Sequence, residues 1–139
     1  METKVIQKIN LEPYLKQLPI HPTVGMLFTG DRLSCIDYAI VIADGDNLVG
    51  LATIAPEGEG GGVNKPTIVG FFIMPEYRKQ GYAPQLLKAT IDECVIRKLT
   101  PVHIQVMSGR LMNCINRLDE KWRGSLDIFD FGNIIDIWN

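Results

Sequence analysis

The sequence predicts an α+β fold, a mixed α/β arrangement in which a mixed, mostly antiparallel sheet carries helices on both faces. Three observations lead there. The run Ile68-Val69-Gly70-Phe71-Phe72-Ile73-Met74, ended by Pro75, reads as a strand rich in β-branched and aromatic residues. From Leu86 a helical spacing follows, and Val102–Met107 then alternates as a second strand. A strand, a crossover helix and another strand imply a parallel or nearly parallel pair. The runs Cys35–Ala43 and Leu48–Ile54 flank Asp44-Gly45-Asp46-Asn47 and read as an antiparallel hairpin. The C-terminal runs Leu126–Phe131 and Ile134–Trp138 around Gly132-Asn133 read as another.

The remaining elements follow in order. Lys4–Ile9 is the first strand candidate, and Glu12–Leu18 a short helix whose first turn suits Pro13. Pro19–Arg32, with its prolines and glycines, reads as a short helix or loop. Ala55–Pro66 contains Gly58, Gly60, Gly61 and Gly62 and reads as a flexible link from the hairpin to the strand at Ile68. In the long helix Leu86, Leu87, Ile91, Val95 and Leu99 form the apolar face, with Lys88, Asp92, Glu93, Arg97 and Lys98 free to meet water. A second helix is expected over Arg110–Trp122, with Leu111, Cys114, Ile115, Leu118 and Trp122 on one face and Arg123-Gly124-Ser125 ending it.

A chain of 139 residues with 46% hydrophobic and 22% charged residues suits one domain spanning 1–139, with a sizeable core. A formal net charge of -2 implies no bulk attraction to nucleic acid or an anionic membrane. The N-terminal METKVIQKIN lacks the apolar core of a secretory signal, and no run reaches the roughly 18 apolar residues of a membrane span. Cys35, Cys94 and Cys114 form no C-x-x-C pair and read as free thiols in a reducing compartment, so a cytoplasmic location is expected. His21 and His103, the two histidines, offer no metal-ligand spacing, and no metal is expected.

Between the strand at Ile68 and the long helix lies Arg78-Lys79-Gln80-Gly81-Tyr82-Ala83, basic at its start and sterically open at Gly81 and Ala83. A helix N-terminus offers unpaired N–H groups and the positive end of the dipole, so a small-residue turn leading into it suits a phosphate. This segment resembles the acyl-CoA-binding motif of the GNAT superfamily of N-acyltransferases, Arg/Gln-x-x-Gly-x-Gly/Ala between a strand and a helix. Here it stands as Arg78-x-x-Gly81-x-Ala83, with VGFFIMPEY before it and QLL after it also similar. The resemblance covers essentially the whole chain, although specific residues fall only within 67–99.

The resemblance implies that the two parallel strands splay apart and that the pantetheine arm of acetyl-CoA lies in the gap. Backbone groups of Phe71, Phe72 and Ile73 would pair with it as an added strand would. The amides of Gln80, Gly81, Tyr82 and Ala83, with Arg78 and Lys79 nearby, would hold the pyrophosphate. Pro84 has no N–H to add. The implied reaction is direct attack of a primary amine on the thioester in a ternary complex. It needs positioning, a base, an oxyanion donor and an acid for the thiolate.

Many members place a tyrosine on the second helix as that acid. This chain has Leu118-Asp119-Glu120-Lys121 at the corresponding stretch and no tyrosine after Tyr82. Asp119 or Leu118 occupies the tyrosine position, depending on register. Candidates for the base are Glu57 and Glu59 on the glycine-rich link, Asp37 and Tyr38 on the hairpin, and His103 on the second parallel strand, a residue type that serves as a proton acceptor in catalysis. His103, Glu57 and Asp119 are the catalytic candidates. Cys114, on an apolar helix face, reads as a packed thiol.

An N-acetyltransferase acting on a small-molecule or protein amine is the first reading. A degenerate module that binds acyl-CoA without turnover is the second, and an assembly protein dimerising through the edge hairpin Leu126–Trp138 is the third. The segments that would choose the acceptor, 19–33 and 55–66, carry no motif.

Overall fold

The computed structural model describes residues 1–18, 36–58, 65–106 and 109–130. Strands β1 (Glu2–Gln7), β2 (Tyr38–Asp44), β3 (Asn47–Ala55), β4 (Thr67–Ile73), β5 (Val102–Val106) and β6 (Leu126–Asp130) lie side by side in chain order in one sheet. The first four form an antiparallel meander, and β4 pairs parallel with β5. Helices α1 (Glu12–Leu15), α2 (Tyr82–Ile96), α3 (Gly109–Asn116) and α4 (Glu120–Arg123) complete the described elements. The fold is the mixed α+β arrangement that the sequence predicts, with one parallel pair more: β6 also runs parallel to β5. The second half of the expected closing hairpin, Ile134–Trp138, lies outside the described residues, as do Pro19–Arg32, Cys35 and residues 59–64 of the glycine-rich link, Glu59 among them.

Alternation along the strands separates two apolar layers. One face presents Ile40, Ala52, Ile54, Ile68, Val102 and Ile104 to Leu86, Leu87 and Ile91 of α2, to Ile115 of α3 and to Leu118. The other presents Ala39, Val41, Ala43 and Leu51, with Leu11 and Ile36, to Tyr14, Leu15 and Leu18 on and just beyond α1. Each helix therefore covers a face that water would otherwise meet. The turn of the β2–β3 hairpin is Gly45-Asp46, with Gly45 at φ +61. Gln17 ties that turn to α1, donating from Nε2 to the carbonyl of Asp46 (2.8 Å) and accepting from the amide of Leu48 (2.7 Å).

Three boundaries and one buried stripe differ from the sequence expectation, each because of a tertiary partner. β1 spans Glu2–Gln7 rather than Lys4–Ile9, because its partner β2 begins at Tyr38 opposite Gln7. Lys8–Asn10 then forms a 3-10 turn, with the Lys8 amide bonded to the Asp37 carbonyl at 3.0 Å and Ile9 left exposed. α1 stops at Leu15, where the chain tightens to bring Gln17 onto the hairpin. The stretch 110–122 is two helices. Leu118 turns into the core, Asp119 goes extended, and the Asp119 carbonyl accepts from Trp122 and Arg123 to start α4. In α2 the buried stripe is Leu86, Leu87, Thr90, Ile91 and Cys94, while Val95 is half exposed. Cys94 takes the inward place because Tyr38 of β2 stands against it, Oη 4.0 Å from Sγ.

Candidate active site

The site begins with an interruption in pairing. β4 and β5 pair only at Thr67↔His103 and Ile68↔Ile104, although β4 runs on to Ile73 and β5 to Val106. All of β5 stays paired with β6 on its other edge, so the two parallel strands separate into a gap that is closed at the Thr67 end. A bulge marks where it opens. Thr53 of β3 faces Gly70, while Ile54 faces Ile68, so Val69 is an extra residue that twists β4 away from the ladder. From Val69 to Ile73 the free edge of β4 is about 16 Å long, a row of backbone donors and acceptors suited to an extended amide-bearing ligand. Phe71 packs on the α2 side of the sheet and Phe72 on the opposite side, so the two rings flank the gap from different faces.

The open end of the gap leads to the turn before α2. Gly81 is the N-cap of α2 at φ +88, which glycine adopts without strain, and Lys79 is also left-handed at φ 63, where a side chain is strained. The first intrahelical bond is made by Gln85 to the Gly81 carbonyl. Among the described residues the amides of Lys79, Gln80, Gly81, Tyr82 and Ala83 have no backbone acceptor. Pro84 falls in the first turn, where its missing N–H interrupts no bond. The turn is held from outside by Gln80 Nε2 on the Glu76 carbonyl (3.0 Å) and by the Tyr77 and Tyr82 rings, edge to face at 6.0 Å. Tyr82 itself lies against the α2-side core, as an apolar cover.

Arg78 turns back rather than outward: Nε donates to the Ile73 carbonyl (3.0 Å) and the guanidinium lies 5.1 Å from the centre of the Phe72 ring. It ties the turn to the end of β4. Lys79, exposed, is the cation beside the open amides.

The proton-transfer candidates are not gathered in one place. His103 is 5% exposed at the closed end of the gap, its Nδ1 3.2 Å from Asp127 Oδ2. Glu57 is exposed just past the end of β3. Asp119 is exposed between α3 and α4, in the helix layer, and Leu118, the other register, is a buried aliphatic side chain.

The Acetyltransferase (GNAT) family profile matches residues 6–113. The chain belongs to the GNAT acetyltransferase family. No curated protein sequence matches this GNAT chain. Solved structures share its fold at low identity. The ribosomal-protein-alanine N-acetyltransferase of Brucella melitensis is 14% identical, with TM-score 0.54 over 89% of this chain and 87% of that one. AAC(6')-Iy, solved with the bisubstrate analog CoA-S-monomethyl-acetylneamine, is 15% identical, with TM-score 0.54 over 91% and 92%. The aminoglycoside acetyltransferase meta-AAC0020, from an uncultured soil metagenomic sample, is 16% identical, with TM-score 0.51 over 76% of each chain.

Two features of this GNAT site escape sequence reasoning. Thr53, next to the bulge, buries its hydroxyl completely and finds no hydrogen-bond partner among the described residues. Asp127 appears in the sequence only as the polar position of an alternating strand, and its contact with His103 depends on β6 lying parallel to β5.

Proposed function

We propose that the chain transfers an acetyl group from acetyl-CoA to a primary amine, by direct attack within a ternary complex. The gap between β4 and β5, closed at Thr67 and ending at its open side on the free amides of the Gly81 turn, is the observation that supports this reading. Along the β4 edge, Phe71, Phe72 and Ile73 offer backbone partners for pantetheine. The Gln80–Ala83 amides and Lys79 face the pyrophosphate, with Arg78 fixing the turn. A backbone N–H of β4 near the bulge is the donor to the developing oxyanion. The acceptor is a small-molecule or protein amine, chosen by segments 19–33 and 55–66.

The proton budget of such a site favours a second reading as well. With Asp119 exposed and Leu118 aliphatic, the α3–α4 stretch supplies no tyrosine acid. A protein that holds acyl-CoA without turning it over has the same gap and turn. Release of free thiol from acetyl-CoA across a panel of primary amines, spanning aminoglycosides, polyamines, lysine and peptide N-termini, separates the two. Release above the amine-free rate with at least one class supports transfer. Acetyl-CoA binding with no release by any class supports the module.

A further inference from the structure

Resting on the proposed transfer, the geometry points to Asp127 as a positioning residue that holds His103 as the proton acceptor for the incoming amine. Val102 and Ile104 both belong to the α2-side core, so His103 between them faces the other side of the sheet. Leu126 and Ile128 likewise pack on the α2 side, and Asp127 between them stands in register with His103. The outcome is Nδ1 of His103 at 3.2 Å from Oδ2 of Asp127, with Lys65 Nζ bonded to the same oxygen. The imidazole end of this chain is dry and the other end wet: side-chain exposure is 7% for His103, 41% for Asp127 and 50% for Lys65.

A carboxylate at Nδ1 selects the tautomer with hydrogen on that nitrogen and leaves Nε2 with a free lone pair. The carboxylate itself is secure. The hydrogen bond from Lys65 first, and that from His103 second, hold the Asp127 carboxyl below its ordinary 3.8. Asp127 and Lys65 are the charged groups set against the imidazole; β4, on the other side, has no titratable side chain between Thr67 and Ile73. The gap opens at Val69, two residues beyond the Thr67↔His103 pair and so about 7 Å along the strand, within reach of an imidazole acting directly or through one water. Among the described residues Glu57 and Asp119 have no comparable partner, and both are exposed.

The ammonium form of the acceptor gives one proton to Nε2, and the freed nitrogen lone pair forms the C–N bond. The C–S bond breaks, and the second nitrogen proton passes to the departing sulfur. The imidazolium, stabilised by Asp127, returns its proton to solvent.

The test uses the full chain and two variants, Asp127→Asn and Asp127→Glu. Nitrogen-15 NMR of the neutral imidazole, assigned with His103→Gln, reads the tautomer directly. The wild type carries hydrogen on Nδ1, Asp127→Asn loses that preference, and Asp127→Glu restores it. Calorimetry with acetyl-CoA and thiol release with an accepted amine supply the second readout. Asp127→Asn binds acetyl-CoA within about twofold of wild type while kcat falls about 100-fold, and Asp127→Glu recovers most of the loss. Hydrogen on Nε2 in the wild type, or an Asp127→Asn protein with unchanged tautomer and kcat, overturns the role of Asp127 and leaves the proposed function standing. A wild type that does not bind acetyl-CoA overturns both.

Discussion

Thr53 and Asp127 show how single polar groups on the same sheet face carry opposite consequences for stability. The Thr53 hydroxyl is fully buried without a partner among the described residues, and an unpaired buried polar group costs about 1–3 kcal/mol. Thr53→Val keeps the branched shape and removes the hydroxyl, so it should stabilise the fold by about 1 kcal/mol in urea unfolding. A destabilised variant would mean that the hydroxyl has a partner in solution. Asp127 works the other way. Its folded carboxyl titrates below the ordinary value of 3.8, so its contribution is fully present above that value and is lost as pH falls through the lowered one. Asp127→Asn should therefore flatten the acid limb of the unfolding curve below about pH 4, while a limb identical to that of wild type would refute the pairing with Lys65 and His103.

Among the elements, α2 carries both the site and a correctable strain. Its C-terminus closes with the Leu99 amide on the Cys94 carbonyl (2.8 Å) and the Lys98 amide on the Val95 carbonyl (3.1 Å). That arrangement places Lys98 in the left-handed region at φ 59, where glycine is the usual occupant. Lys98 is exposed, so Lys98→Gly should raise stability by about 1 kcal/mol with acetyl-CoA binding unchanged, measured by thermal unfolding and titration. Such strain is not readable from sequence, because Leu99-Thr100-Pro101 signals only that a helix ends. What the sequence does show is periodicity and turn chemistry: the β2–β3 hairpin around Gly45, the strand ending at Pro75 and the apolar stripe from Leu86. What it hides depends on partners far along the chain. The extra residue at Val69 exists only in register with Thr53, the break at Asp119 follows from burying Leu118, and the inward turn of Cys94 follows Tyr38.

At the scale of the whole sheet, among the described residues, neighbouring strands stay paired, with bulges between β2 and β3 and between β3 and β4, until β4 and β5 part, and every cofactor-side residue inferred from the motif borders that parting or the turn beyond it. The catalytic side was far less legible. Glu57, Asp119 and His103 are spread over a loop, a helix junction and the closed end of the gap, and the partner that distinguishes His103 comes from β6. If the Gly81 turn is a working phosphate site, calorimetric titration of acetyl-CoA into wild type, Gly81→Ala and Gly81→Glu reads it out. A Cβ at Gly81 meets nothing within 4 Å, and both variants share the strain of φ +88, about 1 kcal/mol, so their difference isolates bulk and negative charge at the turn. Binding by wild type and by Gly81→Ala within several-fold, with a loss of at least about 100-fold in Gly81→Glu, is the expected result. Equal binding by Gly81→Glu and Gly81→Ala, or no binding by wild type, would contradict it.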